Sequence, residues 1–246
     1  MESHLNLIKT NYQEVEKRIF PRFPFSFLTF KENSEGKEDS PVFQVVNISR
    51  TGMQLSLKDG GHTYRVGEKL SGELHWRKAR LNLEADVKWV KGARLGLEFR
   101  QNEGFEEQLT DFLSIENIVA GMRPVHESGL DLDIPNNLKY WLRADGPFEV
   151  FVWRHRDNEL SRFQVILMDH FVEWQDGRGL KTGEVLNQRD LDSPLHPEDE
   201  FLFQFDESVD QNKVDFAQSV VNHLPQDYLP VDVMDFLQLK LDFTHG

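Results

Sequence analysis

Between residues 23 and 100 the chain repeats one pattern, short runs in which every second residue is apolar. Phe23, Phe25 and Phe27 alternate with Pro24 and Ser26, and Met53, Leu55 and Leu57 alternate after Gly52. Leu81, Leu83, Ala85, Val87 and Trp89 share one face of a longer run, and Leu95, Leu97 and Phe99 close the series. Val42-Phe43-Gln44-Val45-Val46 and the group Leu70, Leu74, Trp76 read as further strands. A side-chain period of two belongs to a strand with one buried face and does not suit a helix. Gly60-Gly61 and Lys91-Gly92 supply turn signals between runs. Several short strands at this spacing predict a small closed or nearly closed barrel.

The flanks read differently. Leu5, Ile8, Tyr12 and Val15 recur at helical spacing and predict a helix over residues 3–17, ended by Pro21 and Pro24. Phe105, Leu109, Phe112, Leu113 and the Ile118-Val119 pair predict a second helix over 104–120, with Gly121 placed as its C-cap. Gly, Pro and acids mix from Gly121 to Pro135, as in a linker. Beyond it strands are expected near 138–143, 147–154, 160–168, 170–175, 181–187 and at Phe201, Phe203 and Phe205. Two helices follow, about 209–224, with Ser208 and Gln211 as a capping box, and about 230–241. The expected organisation is an N-terminal helix (1–17), a barrel with a trailing helix (18–120), a linker (121–135) and a second α+β domain (136–246).

Composition narrows the function. The chain has no cysteine, so disulfides, thiolate metal sites and cysteine nucleophiles are excluded. The nine histidines lack metal-ligand spacing, and no metal site is expected. Gly-x-Ser-x-Gly, P-loop and dinucleotide fingerprints are missing, so a non-enzymatic protein is expected. The start Met1-Glu2-Ser3-His4 has no secretory character, and no apolar run approaches the roughly 18 residues of a membrane span. A cytoplasmic protein is the expectation.

A net charge of −14 argues against general nucleic-acid or anionic-membrane binding. The charge is uneven: residues 1–105 hold 17 Lys and Arg against 14 Asp and Glu, a net of +3, whereas residues 106–246 hold 11 against 28, a net of −17. The first part can host an anion locally. The second suits a basic protein partner.

Two short patterns bracket the first strands. Arg18-Ile19-Phe20-Pro21-Arg22 places two arginines where the helix hands over to the first strand, with Lys17 beside them. Because Pro21 bars a regular helix, this segment is expected to be irregular and bendable. Guanidinium groups clamp phosphate oxygens, stack on purines and donate to guanine O6 and N7. Asn47-Ile48-Ser49-Arg50-Thr51-Gly52 lies in the turn leaving the second strand, where short polar side chains reach a ligand. Gly52 there permits a positive φ or a close ligand approach. Each pattern alone is common, the first as a solvated helix end and the second as an ordinary hairpin turn.

Their order, their spacing and the closing Gly92-Ala93-Arg94-Leu95-Gly96-Leu97-Glu98-Phe99 together resemble the PilZ family of bacterial cyclic di-GMP receptors, over about residues 17–105. The resemblance implies a six-stranded antiparallel β-barrel followed by a helix. It implies that Arg18 and Arg22 wrap over the nucleotide and that Asn47 and Ser49 hydrogen-bond a guanine. Gly52 would shape the turn, and Lys17 and Arg50 would lie near the ligand. Cyclic di-GMP is then the ligand, with no cofactor, and the acidic domain at 136–246 engages a protein partner. Nothing resembles the signature motifs of cyclic di-GMP synthases or phosphodiesterases. The rival expectation is a PilZ-like structural or interaction protein that binds no nucleotide and acts through its acidic C-terminal domain.

Overall fold

The computed structural model describes residues 15–21, 28–33, 41–57, 62–128, 135–145, 148–185 and 198–242, with residues 15–21 and 198–202 as backbone alone. Six strands close a barrel: β2 (Leu28–Glu32), β3 (Val42–Ile48), β4 (Gly52–Ser56), β5 (Lys69–Trp76), β6 (Ala79–Lys91) and β7 (Arg94–Phe99). Their order around the barrel is β2-β3-β4-β7-β6-β5, and every pairing is antiparallel. Apolar residues of these strands fill its interior, with Leu28, Phe30, Phe43, Leu55, Leu74, Ala85 and Leu95 fully excluded from solvent, while the run expected at Phe23, Phe25 and Phe27 lies outside the described residues.

Two short helices follow, α1 (Phe105–Phe112) and α2 (Ile115–Gly121). The single helix expected over 104–120 is broken at Leu113-Ser114, where the Ser114 hydroxyl accepts from the Asn117 N–H and starts a new helix. Gly121 is the last helical residue and not a left-handed cap. It is small because a Cβ there would come within 2.9 Å of the Trp76 ring and 3.3 Å of the Ala144 Cβ.

The second unit is an eight-stranded antiparallel sheet. Its strands are β8 (Arg123–Pro124), β9 (Leu138–Ala144), β10 (Phe148–Arg154), β11 (Leu160–Leu167), β12 (His170–Gln175), β13 (Gly179–Val185), β14 (Glu198–Phe205) and the N-terminal β1 (Val15–Pro21), in the order β1-β14-β13-β12-β11-β10-β9-β8. Helices α3 (Gln211–Asn222) and α4 (Val231–Leu241) pack on one face through Val214, Ala217, Val221, Val233 and Leu237. That face and the barrel share one continuous core: Trp76, at the end of β5, stacks on Phe148 of β10 at 5.6 Å and 15°. The other face carries a separate cluster with Trp141, Phe151, Phe171 and Phe203. The period-two aromatics of this unit are therefore core residues, as their spacing predicts.

Three further sequence expectations change. Val15-Glu16-Lys17, expected as a helix end, are strand, and the rest of that helix lies outside the described residues. β-branched Val15 and Ile19 with Phe20 favour the extended state, and Pro21 ends the strand on a sheet edge, where a missing N–H costs least. The stretch expected as a linker is in part structural: Met122 and Val125 are buried, and Arg123-Pro124 pairs with β9. Helix α3 starts at Gln211 behind Asp210, whose carboxylate accepts from the Asn212 N–H at 2.9 Å, so Asp210 and not Ser208 is the cap.

Candidate functional site

The Asn47–Gly52 turn joins β3 to β4 at one end of the barrel. The Ser49 N–H donates to the Gly52 carbonyl at 2.8 Å, and the Thr51 N–H donates to Ser49 Oγ at 3.3 Å. The Phe99 N–H donates to the Thr51 carbonyl at 2.8 Å, tying the turn to the end of β7. This leaves Arg50 at the tip, exposed, with Asn47 and Ser49 half-buried beside it. Gly52 has no positive φ. Its need for glycine comes from the neighbouring strand, since a Cβ would sit 2.2 Å from the Leu97 carbonyl oxygen. The turn chemistry expected of Gly52 is thus a packing requirement between β4 and β7.

Two β-bulges set which side chains face out. In β3 the register shifts between Val45 and Asn47, so Phe43, Val45 and Ile48 point into the core while Asn47 turns outward. Without the extra residue, the alternation set by Phe43 and Val45 would bury Asn47. In β6 the register shifts between Val87 and Trp89. Leu81, Leu83, Ala85 and Val87 are buried as expected, but Trp89 is 40 % exposed and lies on the outside. Sequence reading placed Trp89 with the inward set; the bulge reverses it.

The two bulged positions share a row. Asn47 pairs with Gln54, Gln54 with Gly96, and Gly96 with Trp89, across four adjacent strands of the outer face. A Cβ on Gly96 would fall 1.9 Å from the Trp89 indole nitrogen, so the missing side chain is what lets the indole lie across the sheet. Three strand spacings separate the ends of the row, roughly 14 Å. The row therefore offers amide groups at one end, next to the Ser49 turn, and an aromatic ring at the other. The pairing of Gly96 with a residue on the preceding strand was the available signal for Trp89; the bulge hid it.

The predicted arginines stand on other ground. Arg18 lies in β1, in register with Phe201 of β14, and Lys17 is in register with Leu202. Both belong by backbone to the edge of the second sheet and not to the irregular segment expected of them; their side chains, and all of Arg22, lie outside the described residues. The structure thus joins Asn47, Ser49, Arg50 and Gly52 in one turn and carries Arg18 on a strand of the other unit.

The opposite flank of the turn opens on clefts between the units. One, of about 490 Å³, has Arg50 and Thr51 on its wall and Leu109, Ile115 and Phe216 among its apolar lining. Another, of about 540 Å³, runs from Ser49 and Arg50 to Met168, His170 and Lys213. Acids outnumber bases in both: Glu106, Asp111 and Glu116 line the first, Asp169, Glu184, Asp206 and Asp210 the second. Lys213 is already bound to Asp206 at 2.9 Å. An acidic lining of this kind disfavours a dianion in either cleft. Among the described residues, no group of three or more His, Asp or Glu is placed to hold a metal ion, and no helix is long and apolar enough to cross a membrane.

A closed six-stranded antiparallel barrel with a polar β3–β4 turn and a trailing helix defines the class. Residues 16–114 match the model of the PilZ domain family. A solved structure of the K. pneumonia MrkH–c-di-GMP complex is similar at 10 % sequence identity and a TM-score of 0.24, covering 80 % of this chain and 84 % of that one. No curated protein sequence matches the chain.

Proposed function

We propose that this protein is a cytoplasmic, non-enzymatic receptor for cyclic di-GMP, and that the nucleotide lies on the outer barrel face running from Asn47 to Trp89. The observation that carries the reading is the pair of bulges that turn Asn47 and Trp89 onto one exterior row beside the Ser49–Arg50 turn. The ligand has two phosphates and two guanines. Asn47 and Ser49 supply groups for a base edge, the Trp89 indole supplies a stacking surface, and Arg18 and Arg22 supply cations that both pair with phosphate and stack. Lys17 and Arg50 add positive charge at the rim. Gly52 keeps β4 close to β7 and so holds the turn in place.

Signal output follows from where Arg18 sits. It belongs to the edge strand of the second sheet, so a nucleotide held by Arg18 and by the barrel turn spans both units. A ligand that favours one arrangement of the two shifts their population toward it. The acidic second unit then engages a basic protein partner.

Charged hydrogen bonds are worth about 1.5–3 kcal/mol each, so Arg18→Ala or Arg22→Ala should weaken binding roughly tenfold to a hundredfold. Ser49→Ala and Trp89→Ala should each weaken it by about tenfold, because each removes one contact. Calorimetric titration of the four variants tests the assignment. Unchanged affinity in the arginine variants removes them from the site, and unchanged affinity in Trp89→Ala moves the nucleotide off this face.

A further inference from the structure

A third cavity lies at one corner of the second sheet, away from the barrel motifs. It measures about 850 Å³ and opens between the start of β9, the β10–β11 turn and the end of β12. Its lining carries Lys139, Arg154, His155, Arg156 and Arg162 against one carboxylate, Asp176. This runs against a half-chain whose net charge is −17.

The cations fall into two sets. Arg154 is fixed by Asp232 of α4 at 2.7 Å and by the Asn158 carbonyl at 2.7 Å. Arg162 is fixed by Glu173 at 2.8 Å and stacks over Trp153 at 4.4 Å. These two are walls, with their charge already met. Lys139 and Arg156 are exposed and make no ion pair among the described residues, and His155 stands 3.6 Å from Asp176. The turn that presents Arg156 is rigid: the His155 N–H donates to the Glu159 carbonyl at 2.8 Å, the Asn158 N–H donates back to the His155 carbonyl at 3.1 Å, and Asn158 has φ 74°. Four side-chain amides and the Ser161 hydroxyl complete the lining.

Two exposed cations, Arg156 on this turn and Lys139 on β9, over a cavity lined by amides, suit a ligand with several anionic oxygens. We infer that this corner is a second anion site, for a phosphate-bearing small molecule of nucleotide size or less, held by Lys139 and Arg156. It is separate from the barrel turn and does not depend on the nucleotide reading of that turn.

The test is a thermal-shift series on the full chain with inorganic pyrophosphate and with GTP, each against sodium chloride at matched ionic strength. The variants are Lys139→Ala/Arg156→Ala, at two exposed positions, and Ser49→Ala at the barrel turn. The inference expects pyrophosphate or GTP to raise the melting temperature beyond the salt control. That rise should fall at least tenfold in apparent affinity in the double variant and persist in Ser49→Ala. A rise with pyrophosphate alone assigns the site to the phosphate group, and a larger rise with GTP adds the nucleoside. No rise beyond the salt control overturns the inference. So does a rise that survives undiminished in Lys139→Ala/Arg156→Ala, or one that disappears in Ser49→Ala.

Discussion

Trp76→Ala should cost this protein about 3–4 kcal/mol and loosen the joint between its two units. Trp76 is 2 % exposed and lies between Phe148 of the second sheet, stacked at 5.6 Å, and Phe112 of α1 at 6.0 Å. Burying about 200 Å² of indole at roughly 25 cal/mol per Å² contributes ~5 kcal/mol. Its Nε1 is buried without a hydrogen-bond partner, and removing that orphan donor returns ~1–2 kcal/mol. The difference sets the estimate, which corresponds to a fall in melting temperature of roughly 6–16 °C for a chain of this size. Trp76→Phe keeps the stack and loses the orphan donor, so it should cost about 1 kcal/mol or less. Urea unfolding followed by circular dichroism measures both. Because Trp76 sits in a core shared by the barrel and the second sheet, the wild-type chain should unfold in a single transition. Two separated wild-type transitions, or a Trp76→Phe as damaging as Trp76→Ala, would refute the reasoning.

Gly52→Ala should destabilise the barrel by ~2–3 kcal/mol, read by urea unfolding, because its methyl group meets the Leu97 backbone rather than a side chain that could move. Arg77→Gly should raise stability by up to ~1 kcal/mol in the same assay, since Arg77 holds φ 56° in the two-residue turn between β5 and β6. Hydrogen bonds from Arg100 hold the Asp86 carboxyl below its usual value of 3.8, and Arg154 does the same for Asp232. A carboxyl lowered in the folded state contributes fully above the unfolded value and loses that contribution as pH falls through the folded one. Unfolding free energy should therefore be flat above about pH 5 and decline below about pH 4, less steeply in Asp86→Asn.

The barrel was legible because most of its strands alternate and Gly92 marks the turn between β6 and β7, although the β5–β6 turn, Arg77-Lys78, has no glycine. The second sheet was equally legible: the runs expected at 138–143, 147–154, 160–168 and 170–175 are strands within a residue or two of those bounds. What escaped reading depends on partners distant in sequence. Val15–Pro21 is a strand because β14, nearly two hundred residues away, offers it an edge. Trp89 faces outward because one added residue in β6 reverses the alternation, which period counting cannot register. Gly52 and Gly121 read as turn and cap glycines, yet each is small because another backbone or ring occupies the space. The Asn47–Gly52 turn was found from its residue types alone. Its outward aim depends on the bulge in β3, which the residue types do not announce.

Calorimetric titration of the wild-type protein with cyclic di-GMP, run beside GTP and cyclic di-AMP, tests the receptor assignment most directly. The account predicts saturable heat with cyclic di-GMP and little or none with cyclic di-AMP, whose adenines lack the guanine O6 that arginine recognises. Absence of saturable binding to cyclic di-GMP would contradict it and leave a PilZ barrel that acts through protein contacts alone.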